Sequence, residues 1–151
     1  MQVINIYGVK EKIGCSHLAV LLTGFLNRME YTAAYYGSDK AKAAEFGVPI
    51  EDVPEEDLAG CDLDFIVIDH GTDHTKASLR GATVVVSGDK PNEKQAEFDL
   101  KQLSAMKDAI IVKNFTNAGN GLAFPWWEGP GLPEEFDSFY GVLMTACLPY
   151  L

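Results

Sequence analysis

Short runs of β-branched and apolar residues alternate along this chain with stretches that have the period of an α-helix. The clearest runs are Val3–Tyr7, Phe65–Ile68 and Ala82–Val86, and a glycine or an aspartate follows each within two residues. Between the first two runs, residues 15–29 carry one apolar stripe at helical spacing. Strands that alternate with helices form βαβ units, whose strands are parallel and covered on both faces. The sequence therefore predicts a three-layer α/β fold with a mainly parallel sheet of about five strands.

The remaining predicted elements complete one domain. The segment Asn117–Pro133 is rich in glycine and proline and is predicted to be a loop. A chain of 151 residues matches the usual size of one domain, so residues 1–151 are predicted to form a single unit. Two further strands are predicted over Tyr31–Tyr36 and Ala109–Val112. Helices are predicted over Ser38–Glu45, Thr72–Arg80, Asn92–Leu103 and Glu134–Ala146. Ser38 is the predicted N-terminal cap of the first of these helices.

Charge and cysteine content exclude several classes of function. The chain has 22 acidic and 12 basic residues and a net charge of −10, so it should repel nucleic-acid phosphates and anionic lipids. Its three cysteines are odd in number and far apart, which favours a reducing compartment over a disulfide framework. No leader peptide and no apolar run of about 18 residues is evident. We therefore predict a cytoplasmic protein that binds no nucleic acid directly and has no membrane anchor.

The turn after the first predicted strand, Gly8–Ser16, lies where a ligand would bind, because open parallel sheets bind ligands at the carboxyl ends of their strands. It lacks the G-x-G-x-x-G spacing of a dinucleotide site. Its sequence, GVKEKIGCS, resembles the deviant phosphate loop KGGxGK[ST] of the MinD/ParA branch of P-loop ATPases. Laid on that motif, Lys10 matches the first lysine, Gly14 the last glycine and Ser16 the magnesium-binding hydroxyl.

Three positions depart from the motif. Glu11 and Lys12 replace two glycines, and Cys15 replaces the lysine that holds the terminal phosphates. Phosphoryl transfer depends on positioning and on neutralising the phosphate charge, and Cys15 brings no positive charge. The resemblance therefore implies a degenerate member.

The resemblance extends to later strand ends. LDFIVIDHG looks like a Walker B strand with Asp69 as its metal-facing carboxylate, and Asp39 matches the water-positioning aspartate, the catalytic residue of an active member. Asn114 and Pro125 fall near the adenine-contacting positions. The resemblance thus implies magnesium ligands at Ser16 and Asp69 and nucleotide contacts at Lys10, Lys12, Gly14, Cys15, Ser16, His17 and Asn114.

The leading functional prediction is a pseudo-ATPase that acts through protein contacts and binds ATP or ADP with magnesium weakly or not at all. The implied partner is another protein, and a second copy of the chain is one candidate. One alternative is an active ATPase in which Lys10 or Lys12 replaces the missing lysine.

A second alternative is a metal- or thiol-dependent enzyme. Cys15 would have a lowered pKa at a helix N-terminus, and His17 and His70 are near it in sequence or in the implied geometry. A transition-metal site would draw its ligands from Cys15, His17, Asp69, His70 and His74.

Overall fold

Parallel strands of this computed structural model form one sheet, and the structure describes residues 1–9, 13–73, 80–88, 108–114, 122–124 and 134–151. The sheet order is β2-β3-β1-β4-β5-β6, and all five pairings in it are parallel. The strands within the described ranges are β1 (Gln2–Gly8), β2 (Ala33–Tyr36), β3 (Phe65–Asp69), β4 (Ala82–Gly88), β5 (Ile110–Asn114) and β6 (Leu122–Phe124).

Helices connect or follow these strands. Helix α1 (Cys15–Arg28) follows β1, the short α2 (Lys40–Glu45) follows β2, and α3 (Asp137–Cys147) lies near the end of the described chain. Three 3₁₀ turns, at Glu55–Gly60, Glu134–Phe136 and Leu148–Tyr150, complete the helical elements of the described residues. Within the same ranges, every helix is too short or too polar to span a bilayer.

Each face of the sheet carries its own apolar core. The larger core joins alternate residues of β1 and β3, such as Ile4 and Val67, to Leu18 and Leu22 of α1 and to Leu143 of α3. The smaller core lies on the opposite face, where its buried members are Val3, Ala34, Leu58, Ile66 and Ile68. Because both faces are covered, β3 is a continuous apolar run rather than an alternating one.

The structure confirms the predicted α/β class and parallel sheet, and it corrects some element boundaries. The predicted loop Asn117–Pro133 contains a strand, β6, which pairs with β5 at its carboxyl end. The cap of α2 is Asp39 rather than Ser38, since the Asp39 carboxylate accepts a hydrogen bond from the Lys42 amide at 3.2 Å. The predicted helix over Asn92–Leu103 and most of the one over Thr72–Arg80 lie outside the described residues.

Candidate functional site

The loop between β1 and α1 leads directly into the helix. Gly14 is the N-terminal cap of α1 and has a φ of 100°, a left-handed conformation that favours glycine. The Leu18 amide donates to the Gly14 carbonyl at 2.9 Å, which closes the first turn. Lys10 and Lys12, the two lysines of the predicted phosphate loop, lie outside the described residues. Gly14 thus marks where the loop ends and places Cys15 and Ser16 at the start of the helix.

The carboxylate of Asp69, at the end of β3, is the centre of a hydrogen-bond cluster that is buried on the side of Cys15 and Tyr35 and partly buried on the side of Ser16 and Gly71. Its Oδ2 accepts from the Ser16 hydroxyl at 2.6 Å and from the Tyr35 hydroxyl at 2.8 Å. Its Oδ1 accepts from the Cys15 thiol at 3.0 Å and from the Gly71 amide at 3.0 Å. An ionised carboxylate has about four lone-pair positions, so protein donors fill all of them in this arrangement.

Cys15 is held as a thiol in this cluster. Its side chain is 8% exposed. Burial, the charge of Asp69 and the hydrogen bond to Asp69 raise its pKa well above the ordinary value for cysteine. The expectation of a lowered pKa at the helix N-terminus is therefore wrong, because desolvation and the adjacent carboxylate outweigh the helix dipole. Cys15 donates a hydrogen bond to Asp69 and is not poised as a nucleophile.

Tyr35 connects the ends of β2 and β3. Its hydroxyl donates to Asp69 and accepts a hydrogen bond from the Asp39 amide at 3.1 Å. Burial, followed by the charge of Asp69, raises the pKa of Tyr35 far above its ordinary value, so this hydroxyl keeps its proton. The carboxylate of Asp39 caps α2 and lies 3.8 Å from the Lys42 ammonium. The backbone of Asp39 is thus tied to the cluster while its side chain is engaged at the helix.

The histidines are directed to other contacts. His17 is buried and packs edge-on against Phe46, with ring centroids 5.9 Å apart. His70 stacks on Tyr7 at 4.4 Å, and its Nε2 lies 2.9 Å from the Asn5 side-chain oxygen. In the described part of the chain, no group of three or more His, Cys, Asp or Glu side chains is arranged to hold a metal ion. The remaining proposed ligand, His74, lies outside it.

The structure brings only part of the predicted set together. Cys15, Ser16 and Asp69 meet, whereas His17 points to a different neighbour. Asn114 ends β5 opposite Gly88 in the parallel register, and Pro125 is outside the described residues. Sequence reasoning missed Tyr35, because a tyrosine within a strand is typical of a core residue and nothing in its spacing indicates a partner on the neighbouring strand.

A cavity of about 310 Å³ opens beside this cluster, at the carboxyl ends of β2 and β3. Among the described residues that line it, Lys40 is the only cation apart from His70, and it forms an ion pair with Asp52. The same lining holds four carboxylates, those of Glu51, Asp52, Glu55 and Asp69. With His70 neutral, four carboxylates and one ammonium leave three formal negative charges around the cavity.

We expect the three thiols to differ in reactivity toward iodoacetamide at about pH 8. All three cysteines are free; Cys61 is partly exposed, whereas Cys15 and Cys147 are buried, and burial raises the pKa of Cys147 to about 12. Cys15 and Cys147 should therefore react at least about tenfold more slowly than Cys61 in the folded protein. Peptide mapping by mass spectrometry measures the three rates, and denatured protein is the control. Faster labelling of Cys15 than of Cys61 would restore the thiol-enzyme alternative.

Comparison with known proteins supports the fold. No protein-family model matches the chain, and no curated protein matches it. Among solved structures, it resembles the ParA family ATPase of Chlorobium tepidum TLS, with 12% identity, a TM-score of 0.55 and coverage of 93% of this chain and 80% of that one. It also resembles the MinC:MinD cell division protein complex of Aquifex aeolicus, with 12% identity, a TM-score of 0.53 and coverage of 76% and 68%. The chain therefore has a MinD/ParA-like fold.

Proposed function

We propose that this chain is a pseudo-ATPase, a scaffold with the MinD/ParA-like fold that acts through protein contacts and does not depend on nucleotide. The observation that carries the proposal is the saturated carboxylate of Asp69. In an active site of this type, Ser16 and Asp69 would serve a magnesium ion. Here the Ser16 hydroxyl donates a hydrogen bond to the Asp69 carboxylate. The Tyr35 hydroxyl, the Cys15 thiol and the Gly71 amide donate the other three hydrogen bonds that this carboxylate accepts.

The position of Cys15 supports the same proposal. It occupies the place that the motif gives to the phosphate-binding lysine, yet its side chain is buried and directed toward Asp69. A neutral thiol at that place cannot neutralise a triphosphate. The negative charge of the adjacent cavity further disfavours a polyanion on the β2–β3 side of the site.

Protein partnership is the role that remains for such a scaffold. The Aquifex aeolicus neighbour was solved as a MinC:MinD complex, so this fold is used in protein assemblies. We also propose a cytoplasmic location, since three cysteines that are odd in number and far apart in the sequence favour a reducing compartment.

Calorimetric titration of ATP and ADP, with and without magnesium, tests the proposal. We expect no heat beyond dilution up to millimolar nucleotide, because Cys15 replaces the phosphate-binding cation and the lone pairs of Asp69 are already occupied. The matched titration uses a Lys10→Gln/Lys12→Gln variant. Micromolar, magnesium-dependent binding by the natural chain that disappears in this variant would overturn the proposal and establish the active-ATPase alternative.

A further inference from the structure

One fully buried side chain, that of Tyr35, joins the Asp69 carboxylate to the turn that follows β2. Its hydroxyl donates a hydrogen bond to the carboxylate at 2.8 Å and accepts one from the Asp39 amide at 3.1 Å. Because a hydroxyl group has one proton and two lone pairs, it can serve both partners at once. The end of β3 and the start of α2 are therefore connected through a single oxygen atom.

The turn between β2 and α2 also packs closely on the same two side chains. A Cβ atom at Gly37 would lie 2.5 Å from the Tyr35 hydroxyl oxygen and 2.8 Å from the Cβ atom of Asp69. Carbon atoms in favourable contact are about 3.5–4.0 Å apart, so a residue larger than glycine would push the turn away from the pair. Glycine at position 37 thus lets the backbone lie directly against the two hydrogen-bonded side chains.

The backbone of Tyr35 holds the far end of the same segment. Its amide donates to the Pro49 carbonyl at 2.8 Å, and its carbonyl accepts from the Glu51 amide at 2.9 Å. Between these points the segment is anchored in the larger core by Ala43 of α2, which is fully buried. Residues 37–51 are therefore attached to Tyr35 near both ends, by its hydroxyl at the start and by its backbone at the end.

Loops that switch with nucleotide are held by contacts to the terminal phosphate and its magnesium ion, and they are released when those contacts are lost. In this chain a side chain makes the contact to the turn. We propose that Tyr35 is an internal ligand that holds residues 37–51 in one conformation without nucleotide or metal. The inference rests on the proposed function and concerns its regulation, since it makes the turn a fixed part of the scaffold and not a switch. Tyr35 is thus a positioning residue that acts through Asp39 and Asp69.

Amide hydrogen exchange followed by NMR tests this inference on the full, unmodified chain. The Asp39 amide precedes the first turn of α2, where amides have no acceptor within the helix, so slow exchange there reports the Tyr35 hydroxyl. The Lys40 amide begins the same helix and is the internal reference. After correction for intrinsic rates, we expect Asp39 to exchange at least about tenfold more slowly than Lys40. Millimolar ATP and magnesium should leave both rates unchanged.

Two matched tyrosine variants assign this protection to one hydroxyl group. Tyr35→Phe removes the acceptor of the Asp39 amide, and we expect Asp39 to exchange about tenfold faster, at a rate close to that of Lys40. Tyr36→Phe removes the same atom from the next residue along the chain and should leave the Asp39 rate unchanged. Equal acceleration of Asp39 by both variants would overturn the inference.

Further outcomes separate this inference from others. If Tyr35→Phe accelerates the Ile4 amide of the central strand β1 as much as Asp39, Tyr35 contributes only general stability and the inference is overturned. Fast exchange of Asp39 in the unmodified chain, with and without nucleotide, would overturn it while leaving the proposed function intact. Protection of Asp39 only when magnesium and ATP are present would overturn it in favour of a ligand-held switch. Micromolar magnesium–nucleotide binding in the calorimetric titration, with Asp39 protected throughout, would instead overturn the proposed function and leave the internal contact in place.

Discussion

Replacing Asp69 with asparagine should lower the free energy of unfolding by about 3 kcal/mol, because the buried Tyr35 hydroxyl and Cys15 thiol then compete with two partly buried donors for one acceptor oxygen. The carboxylate now accepts from Ser16, Tyr35, Cys15 and the Gly71 amide. Asparagine keeps one acceptor oxygen and presents an amide that competes as a donor. Urea denaturation followed by far-UV circular dichroism measures the change. A residue kept only to bind metal would show no such cost in the absence of ligand.

Asp62→Asn is the matched control for this experiment. Asp62 is exposed and lies only a few residues before β3, so its replacement should change the free energy of unfolding by no more than about 0.5 kcal/mol. A Tyr35→Phe variant, alone and combined with Asp69→Asn, measures the coupling between the two side chains. If Asp69→Asn is as stable as Asp62→Asn, the carboxylate does not hold the cluster together and the pseudo-ATPase proposal loses its main support.

Replacing Gly81 with alanine should destabilise the protein by about 4 kcal/mol or prevent folding. The added methyl group would overlap backbone atoms, which cannot relieve the overlap by a side-chain rotation. A Cβ at this position would lie 2.1 Å from the carbonyl oxygen of Val3 and 2.8 Å from its carbonyl carbon. Gly81 directly precedes β4, which pairs with β1 through Ile4 and Ala82. Relief of the overlap would therefore separate two inner strands. Thermal and urea unfolding measure the effect.

Gly141→Ala provides the matched control, because it makes the same chemical change where space is open. Gly141 lies inside α3, and apart from the backbone of its own helix no described atom stands within 4 Å of the place that a Cβ would take. Alanine in a helix interior is favoured over glycine by about 1 kcal/mol, so this variant should be equally stable or more stable. A Gly81→Ala protein with an unchanged urea midpoint would show that β1 and β4 approach less closely than the structure has them.

Much of the fold could be predicted because it depends on local patterns. The apolar runs of β1, β3 and β4 and the stripe of α1 are properties of neighbouring residues, and each was confirmed within a few positions. Strand β6 was missed because its three residues, Leu122–Phe124, lie in a segment dominated by glycine and proline, where turn signals outweigh so short a run. Its pairing with β5 is a tertiary contact that local propensity does not encode.

The candidate site was less predictable, since it depends on contacts between distant segments. The resemblance to the MinD/ParA motifs predicted that Ser16 and Asp69 lie at the same site, and the structure shows a hydrogen bond between these two side chains. The roles of Tyr35 and the Gly71 amide could not be read from the sequence, because neither residue type nor spacing indicates their orientation. The state of Cys15 was misjudged for the same reason: its pKa follows from burial and from Asp69, 54 positions away.

The strand order also has a consequence for synthesis of the chain. Strand β1 is made first, yet Ile4 pairs with Val67 on one side and with Ala82 on the other. At about 5–20 residues per second, the ribosome needs on the order of ten seconds to supply both neighbours. Until β3 emerges, this inner strand has neither neighbour, and until β4 emerges it still lacks one of the two. The nascent chain is thus most vulnerable to aggregation before β4 emerges, and a chaperone acting early would have its greatest effect there.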